Sequence, residues 1–237
     1  LISTPARARA WYWGGPLAVT LLGALLRLIN LGTPHAMVFD ETYYVKDAWS
    51  LLHAGYELVL KKNANELMLA GNNDILTLAP EYVVHPPIGK WVIAIGEHFF
   101  GLNPFGWRIS VAVLGIIAVM LVHRVARRLF RNELVAWLAG LFMAIDGLAI
   151  VLSRTALLDQ TLMFFTLAAF AALIADRDRT RRRAPAYGKC YVHRPVVAPL
   201  GIFVEGHGPV VGLLVLPDVL CRVVEGIARL SRVVADT

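Results

Sequence analysis

Ile109-Ser110-Val111-Ala112-Val113-Leu114-Gly115-Ile116-Ile117-Ala118-Val119-Met120-Leu121-Val122 is an apolar run that passes directly into His123-Arg124-Val125-Ala126-Arg127-Arg128-Leu129-Phe130-Arg131. A helix crosses a bilayer with roughly 20 mostly apolar residues, fewer where the membrane thins. Arginine and lysine gather on the cytoplasmic side of such spans. The run therefore reads as a span whose far end is cytoplasmic. Three more stretches fit the pattern: about Pro16 to Leu31 with Arg27 near its far end, Leu134 to Leu152 with Asp146 inside, and Leu157 to Ala175. Arg7 and Arg9 precede the first, and Asp176-Arg177-Asp178-Arg179-Thr180-Arg181-Arg182-Arg183 follows the last. With all three basic clusters cytoplasmic, the four spans alternate without contradiction. The expected fold is all-α, a polytopic membrane protein with residues 32–107 outside. The last two spans form a tight hairpin that turns near Ser153-Arg154, also outside.

Composition agrees. The chain is 57% hydrophobic with a mean hydropathy of +0.60, more apolar than a soluble domain of 237 residues. The net charge of +6 does not indicate nucleic acid, because the basic residues lie in clusters between apolar spans. Cys190 and Cys221 are the two cysteines; they lack a CxxC spacing and define neither a disulfide framework nor a zinc site. No small-residue cleavage site follows the first apolar stretch, which reads as an uncleaved anchor.

The external segment has its own pattern. Asp40 to Leu52 reads as a helix, and Asn63 to Asn73 as an irregular surface loop. His85-Pro86-Pro87 forces an extended entry and then permits a helix start. From Ile88 to Phe100, Trp91, Val92, Ile95 and Phe99 form an apolar face interrupted by Lys90, Glu97 and His98. This is a candidate helix lying on the membrane.

Several polar groups have two readings each. Asp40-Glu41 suits a helix N-terminus, or a proton-accepting pair whose basicity is tuned by mutual repulsion and reduced solvation. His85 and Lys90 suit a structural turn with a snorkelling lysine, or a phosphate contact. Arg108 in Gly106-Trp107-Arg108 anchors at the interface or grips a lipid phosphate. Arg27 snorkels, or neutralises a phosphate or carboxylate. Asp159 pairs with Arg154 at the surface, or faces a shared cavity and binds a cation or orients the base. Together these groups converge on one membrane face, as needed to hold a lipid-linked phosphate beside an activated acceptor.

The series Arg27, Phe39-Asp40-Glu41-Thr42-Tyr43-Tyr44, His85-Pro86-Pro87-Ile88-Gly89-Lys90, Gly106-Trp107-Arg108, Ser153-Arg154 and Leu157-Leu158-Asp159 resembles the protein O-mannosyltransferases, in an actinobacterial form. The resemblance covers roughly residues 15–183. It implies the N-terminal part of a type-C glycosyltransferase fold in a bacterial plasma membrane, with the active face external. It implies mannose transfer from a polyprenyl-phosphate-mannose donor to Ser or Thr of a secreted protein, with secretion machinery or an oligomer as further partners. By the same resemblance Asp40 is the catalytic base and Glu41 assists or positions the acceptor. Arg108 matches a functionally important arginine. Asp159 resembles an acidic site that can involve a divalent cation in related lipid-phosphate-sugar transferases; the cofactor is otherwise undefined.

Residues 1–184 thus form the expected transmembrane catalytic region. Residues 185–237, rich in Val, Gly and Arg, are expected to be a divergent tail from a shifted frame or a truncated gene. The isolated chain is then expected to turn over little or not at all. A noncatalytic membrane fragment or assembly partner is the alternative. A transporter fits less well, since it would place charges near midplane and often repeat its halves.

Overall fold

The computed structural model describes residues 5–183, with side chains over 13–179. The expected tail at 185–237 and the side chains of Arg7 and Arg9 lie outside the described residues. The order is α1 (Pro5–Leu28), α2 (Glu41–Ala54), β1 (Leu58–Leu60), α3 (Ala64–Leu69), β2 (Leu76–Pro80), α4 (Pro87–Phe100), α5 (Pro104–Phe130), α6 (Glu133–Ile145), α7 (Gly147–Arg154) and α8 (Leu158–Arg183). The fold is mainly helical, as expected. The two strands pair antiparallel between α2 and α4.

Two helices are long and apolar enough to cross a membrane: α5, with mean hydropathy 2.2, and Leu158–Arg179 of α8, with 1.7. The pair α6 and α7 makes a third if taken as one span, and it is bent by 54°. The apolar part of α1, Trp13–Leu28, is shorter. The structure therefore departs from four uninterrupted spans at Asp146. This residue is extended (φ −61°, ψ 122°), and its carboxylate accepts from Ala149 N at 2.7 Å as the N-cap of α7. The carboxylate inside the third apolar run is thus a helix N-cap.

Two arginines repair the helix ends that this break and the end of α1 leave open. Arg27 is fully buried. Its Nη1 donates to Ala144 O (3.1 Å) and Gly23 O (3.2 Å), and its Nη2 to Met143 O (3.1 Å). The carbonyls of Met143 and Ala144 belong to the last turn of α6 and would otherwise lack partners; Gly23 is one turn back on α1 itself. Arg154, at the end of α7, donates in turn to the end of α1. Its Nη1 reaches Leu26 O, Arg27 O and Ile29 O (3.0, 3.2 and 2.7 Å), and its Nη2 reaches Asn30 O (3.1 Å).

Residues 32–107 pack as a small domain on the start of α5. Val45, Ala48 and Trp49 of α2, Ile93 and Ala94 of α4, Trp107 and Val111 of α5, and Ala156 share one core. The stretch expected as irregular contains α3, because Ala64 and Met68, one turn apart, both enter that core. Helix α2 runs two residues further than expected and stops at Gly55, whose φ of 79° needs a left-handed backbone.

Helix α4 has the expected extent, and it turns outward the apolar face that a helix lying on the membrane would give to lipid. Its apolar residues Trp91, Ile95 and Phe99 point outward, 41%, 54% and 73% exposed. Gly89, Lys90, Ile93, Ala94, Gly96 and Glu97 form the buried face. Close approach explains part of this: a Cβ on Gly96 would run into the carbonyl oxygen of Gly106. Both carboxylate oxygens of Glu97 are buried without a hydrogen-bond partner. Burial pushes this carboxyl well above the usual range and so favours its neutral form.

Candidate active site

Asp40 and Glu41 stand at the start of α2 and separate completely. Glu41 turns inward and is fully buried. Its Oε1 accepts from Arg108 Nε (2.8 Å) and Ala156 N (2.8 Å), and its Oε2 from Arg108 Nη2 (2.7 Å) and Val38 N (2.9 Å). Arg108, 1% exposed, uses its remaining N–H groups on Leu31 O (3.3 Å), Pro34 O (3.1 Å) and Ala36 O (2.8 Å). Every donor of the guanidinium is engaged. This bidentate clamp ties α2 and the chain leaving α1 to α5 and to the segment before α8. It leaves Arg108 no donor for a lipid phosphate and Glu41 no room for an acceptor.

Asp40 faces the other way. It lines a cavity of about 340 Å³ together with Tyr43, Tyr44, Asp47, Glu57, Leu60, Glu81, Tyr82, Val84 and His85. Its Oδ2 accepts a long hydrogen bond, 3.4 Å, from the hydroxyl of Tyr44. The Tyr44 ring meets His85 edge-on, with centroids 5.5 Å apart. Burial first, then the charge and hydrogen bond of Asp40 and the charges of Asp159 and Asp47, push the Tyr44 hydroxyl up to about 12. It therefore stays a proton donor toward Asp40 at neutral pH. The same interaction places Asp159, exposed in the first turn of α8, within electrostatic reach of the site.

Lys90 is fully buried behind the cavity wall. Its Nζ lies 2.7 Å from Glu57 Oε1 and 2.9 Å from Asp47 Oδ2. It therefore joins α4 to α2 and to the residue before β1 rather than reaching into the cavity. The cavity is acidic, and burial, aided by Asp47 and Glu57, raises the Glu81 carboxyl. Among the described residues no group of three His, Cys, Asp or Glu is placed to hold a metal ion.

The structure thus brings together Asp40, His85 and, through its field, Asp159. It places Lys90 and Arg108 as buried struts beside them, and Arg27 among the backbone carbonyls of α6. Asp47, Glu57, Glu81 and Tyr82 are cavity residues that sequence reasoning missed. Asp47 had a signal, since it lies two helical turns after Asp40 on α2. Glu57, Glu81 and Tyr82 had none, because the hairpin that positions them was not foreseen.

The family described as dolichyl-phosphate-mannose-protein mannosyltransferase matches residues 17–187, a range that contains all of these groups. The chain belongs to that mannosyltransferase family. Curated relatives agree. A polyprenol-phosphate-mannose–protein mannosyltransferase of Mycolicibacterium smegmatis is 46% identical over 180 residues, 74% of this chain and 31% of the relative. One of Mycobacterium tuberculosis is 43% identical over 182 residues, 75% of this chain and 31% of the relative. An undecaprenyl phosphate-alpha-4-amino-4-deoxy-L-arabinose arabinosyl transferase of Pseudomonas aeruginosa is 35% identical over 111 residues, 47% of this chain and 20% of the relative. The chain spans about a third of the length of the mannosyltransferases it matches. The expected family is thereby borne out.

Proposed function

We propose that the Asp40 cavity is the acceptor-activating end of a mannosyltransferase site. The reaction moves mannose from polyprenol-phosphate-mannose to Ser or Thr of a secreted protein, on the external face of a bacterial plasma membrane. The carrying observation is the division of labour between adjacent carboxylates. Glu41 is sealed in the Arg108 clamp, and Asp40 opens to the cavity with one oxygen toward Tyr44.

An alcohol is a weak nucleophile until a base takes its proton. Asp40 accepts the proton of the acceptor hydroxyl. The hydroxyl oxygen then bonds to the anomeric carbon of mannose as the carbon–oxygen bond to polyprenyl phosphate breaks. The phosphate leaves with the bonding electrons, and a single displacement inverts the anomeric centre. Of the basic candidates from the sequence, His85 is the one on the cavity wall, so it is the group we assign to the leaving phosphate. Glu41 and Arg108 hold the backbone from which Asp40 projects.

Sidedness supports this placement. Arg108 and Asp159 begin α5 and α8, while the basic residues end them. The positive-inside rule then puts the Asp40 cavity outside. The test is transfer of labelled mannose from polyprenyl-phosphate-mannose to a Ser/Thr peptide, run with this chain and with the M. smegmatis relative. The counterpart of Asp40→Asn in the relative should abolish transfer while the protein stays folded. Full activity would remove Asp40 from the base role.

A further inference from the structure

At the opposite ends of α5 and α8 lies a second cavity, of about 230 Å³, whose residues play no part in the proposed reaction. Leu121, Arg124, Val125 and Arg128 line it from α5, and Ala172 and Ala175 are among those that face them from α8. The spacing on α5 puts both arginines on one helix face, with the apolar residues between them. Small side chains on α8 leave the groove open between two helices suited to span a membrane.

The two guanidiniums differ from their neighbours. Arg127 has Glu133 at 2.7 Å, and Arg177 has Asp178 at 2.9 Å. Among the described residues Arg128 has only Asp178, at 3.7 Å, and 44% of its side chain is exposed. Arg124 makes no ion pair among the described residues. It stands over the ring of Trp13 at 5.1 Å, which orients the cation without using its N–H donors.

We infer that this groove binds an anionic phospholipid in the leaflet at the basic end of the spans. The phosphodiester lies between Arg124 and Arg128, and an acyl chain lies along Leu121, Val125 and Ala172. Charge complementarity selects the headgroup. The apolar floor distinguishes a lipid from a free phosphate, which would gain nothing from it. A zwitterionic lipid such as phosphatidylcholine offers the same phosphodiester but sets its own cation beside two arginines, so net charge decides between the two lipids. The site is separate from the Asp40 cavity and does not depend on the catalytic reading.

The full chain is reconstituted in nanodiscs of equal parts phosphatidylcholine and phosphatidylglycerol, extracted gently, and its retained lipid read by native mass spectrometry. Phosphatidylglycerol should be retained selectively. The double variant Arg124→Gln with Arg128→Gln should hold it about thirtyfold more weakly, through loss of two cationic contacts. Ala172→Leu, which fills the groove and leaves both charges, should lower retention as well. Arg131→Gln, a change at an exposed basic residue outside the groove, should leave it unchanged. No selectivity in the native chain would overturn the inference. So would equal loss in Arg131→Gln, which would mean diffuse surface charge, or displacement of the lipid by inorganic phosphate. If the double variant fails to fold, native selectivity and Ala172→Leu still decide.

Discussion

The carboxylate of Glu41 receives both Nε and Nη2 of Arg108, at 2.8 and 2.7 Å, with neither side chain more than 1% exposed. Breaking such a pair from one side leaves a buried charge alone. Glu41→Ala and Arg108→Ala should each destabilise the protein by about 3–5 kcal/mol. The double variant should cost less than the two losses combined. Arg108→Lys should not rescue, because one ammonium cannot serve the fork and the three carbonyls together. Thermal unfolding in detergent measures all four; a stable Arg108→Ala protein with weakened donor affinity would instead make Arg108 a substrate ligand.

Asp40 is partly exposed and has one long side-chain hydrogen bond. Asp40→Asn should shift stability by no more than about 0.5 kcal/mol, as for a substitution outside the packed core. In the M. smegmatis relative the counterpart of this change should remove transfer. Measuring unfolding and turnover on one preparation separates this pattern from the behaviour of Glu41, where folding itself should fail.

Lys90 is buried and pairs with the buried Glu57 and the partly buried Asp47, so Lys90→Ala should act on the fold. We expect a loss of about 3–5 kcal/mol and increased proteolysis within residues 41–100. Unchanged stability with reduced donor binding would show that Lys90 contacts phosphate.

Tyr44 gives a pH signature. Its hydroxyl titrates at about 12 in the folded protein, above the ordinary value of 10.0. Between those values the folded state holds a proton that the unfolded state releases. The stability contributed by neutral Tyr44 is therefore complete below pH 10 and is lost as pH rises through about 12. Tyr44→Phe should show a shallower alkaline loss of stability than the native chain. Parallel curves for the two would contradict the Tyr44–Asp40 interaction.

The spans of α5 and α8 were legible because hydropathy and terminal charge agree there. The break at Asp146 was not, since a carboxylate in an apolar run does not reveal that it caps a new helix. The outward apolar face of α4 was legible as periodicity. Its buried face was not, because it rests on the fit of Lys90 between Asp47 and Glu57 and of Gly96 against Gly106, all contacts across elements. The site was half legible in the same sense. Asp40-Glu41 announced itself, but Glu41 was withdrawn from the cavity by an arginine 67 residues away.

The mutual capping by Arg27 and Arg154 has a consequence for biogenesis. The far end of α1 obtains hydrogen-bond donors from a residue translated up to 128 positions after the carbonyls it serves. Until Arg154 emerges, those carbonyls must be hydrated or borrow donors from the translocation machinery or lipid headgroups. The first helix of this chain is therefore among the last to be closed. Ribosome-bound chains halted before Arg154 should leave residues 26–30 open to aqueous labelling, and chains extended to the end of α8 should shield them. A shield already complete in the shorter chains would show that α1 matures alone.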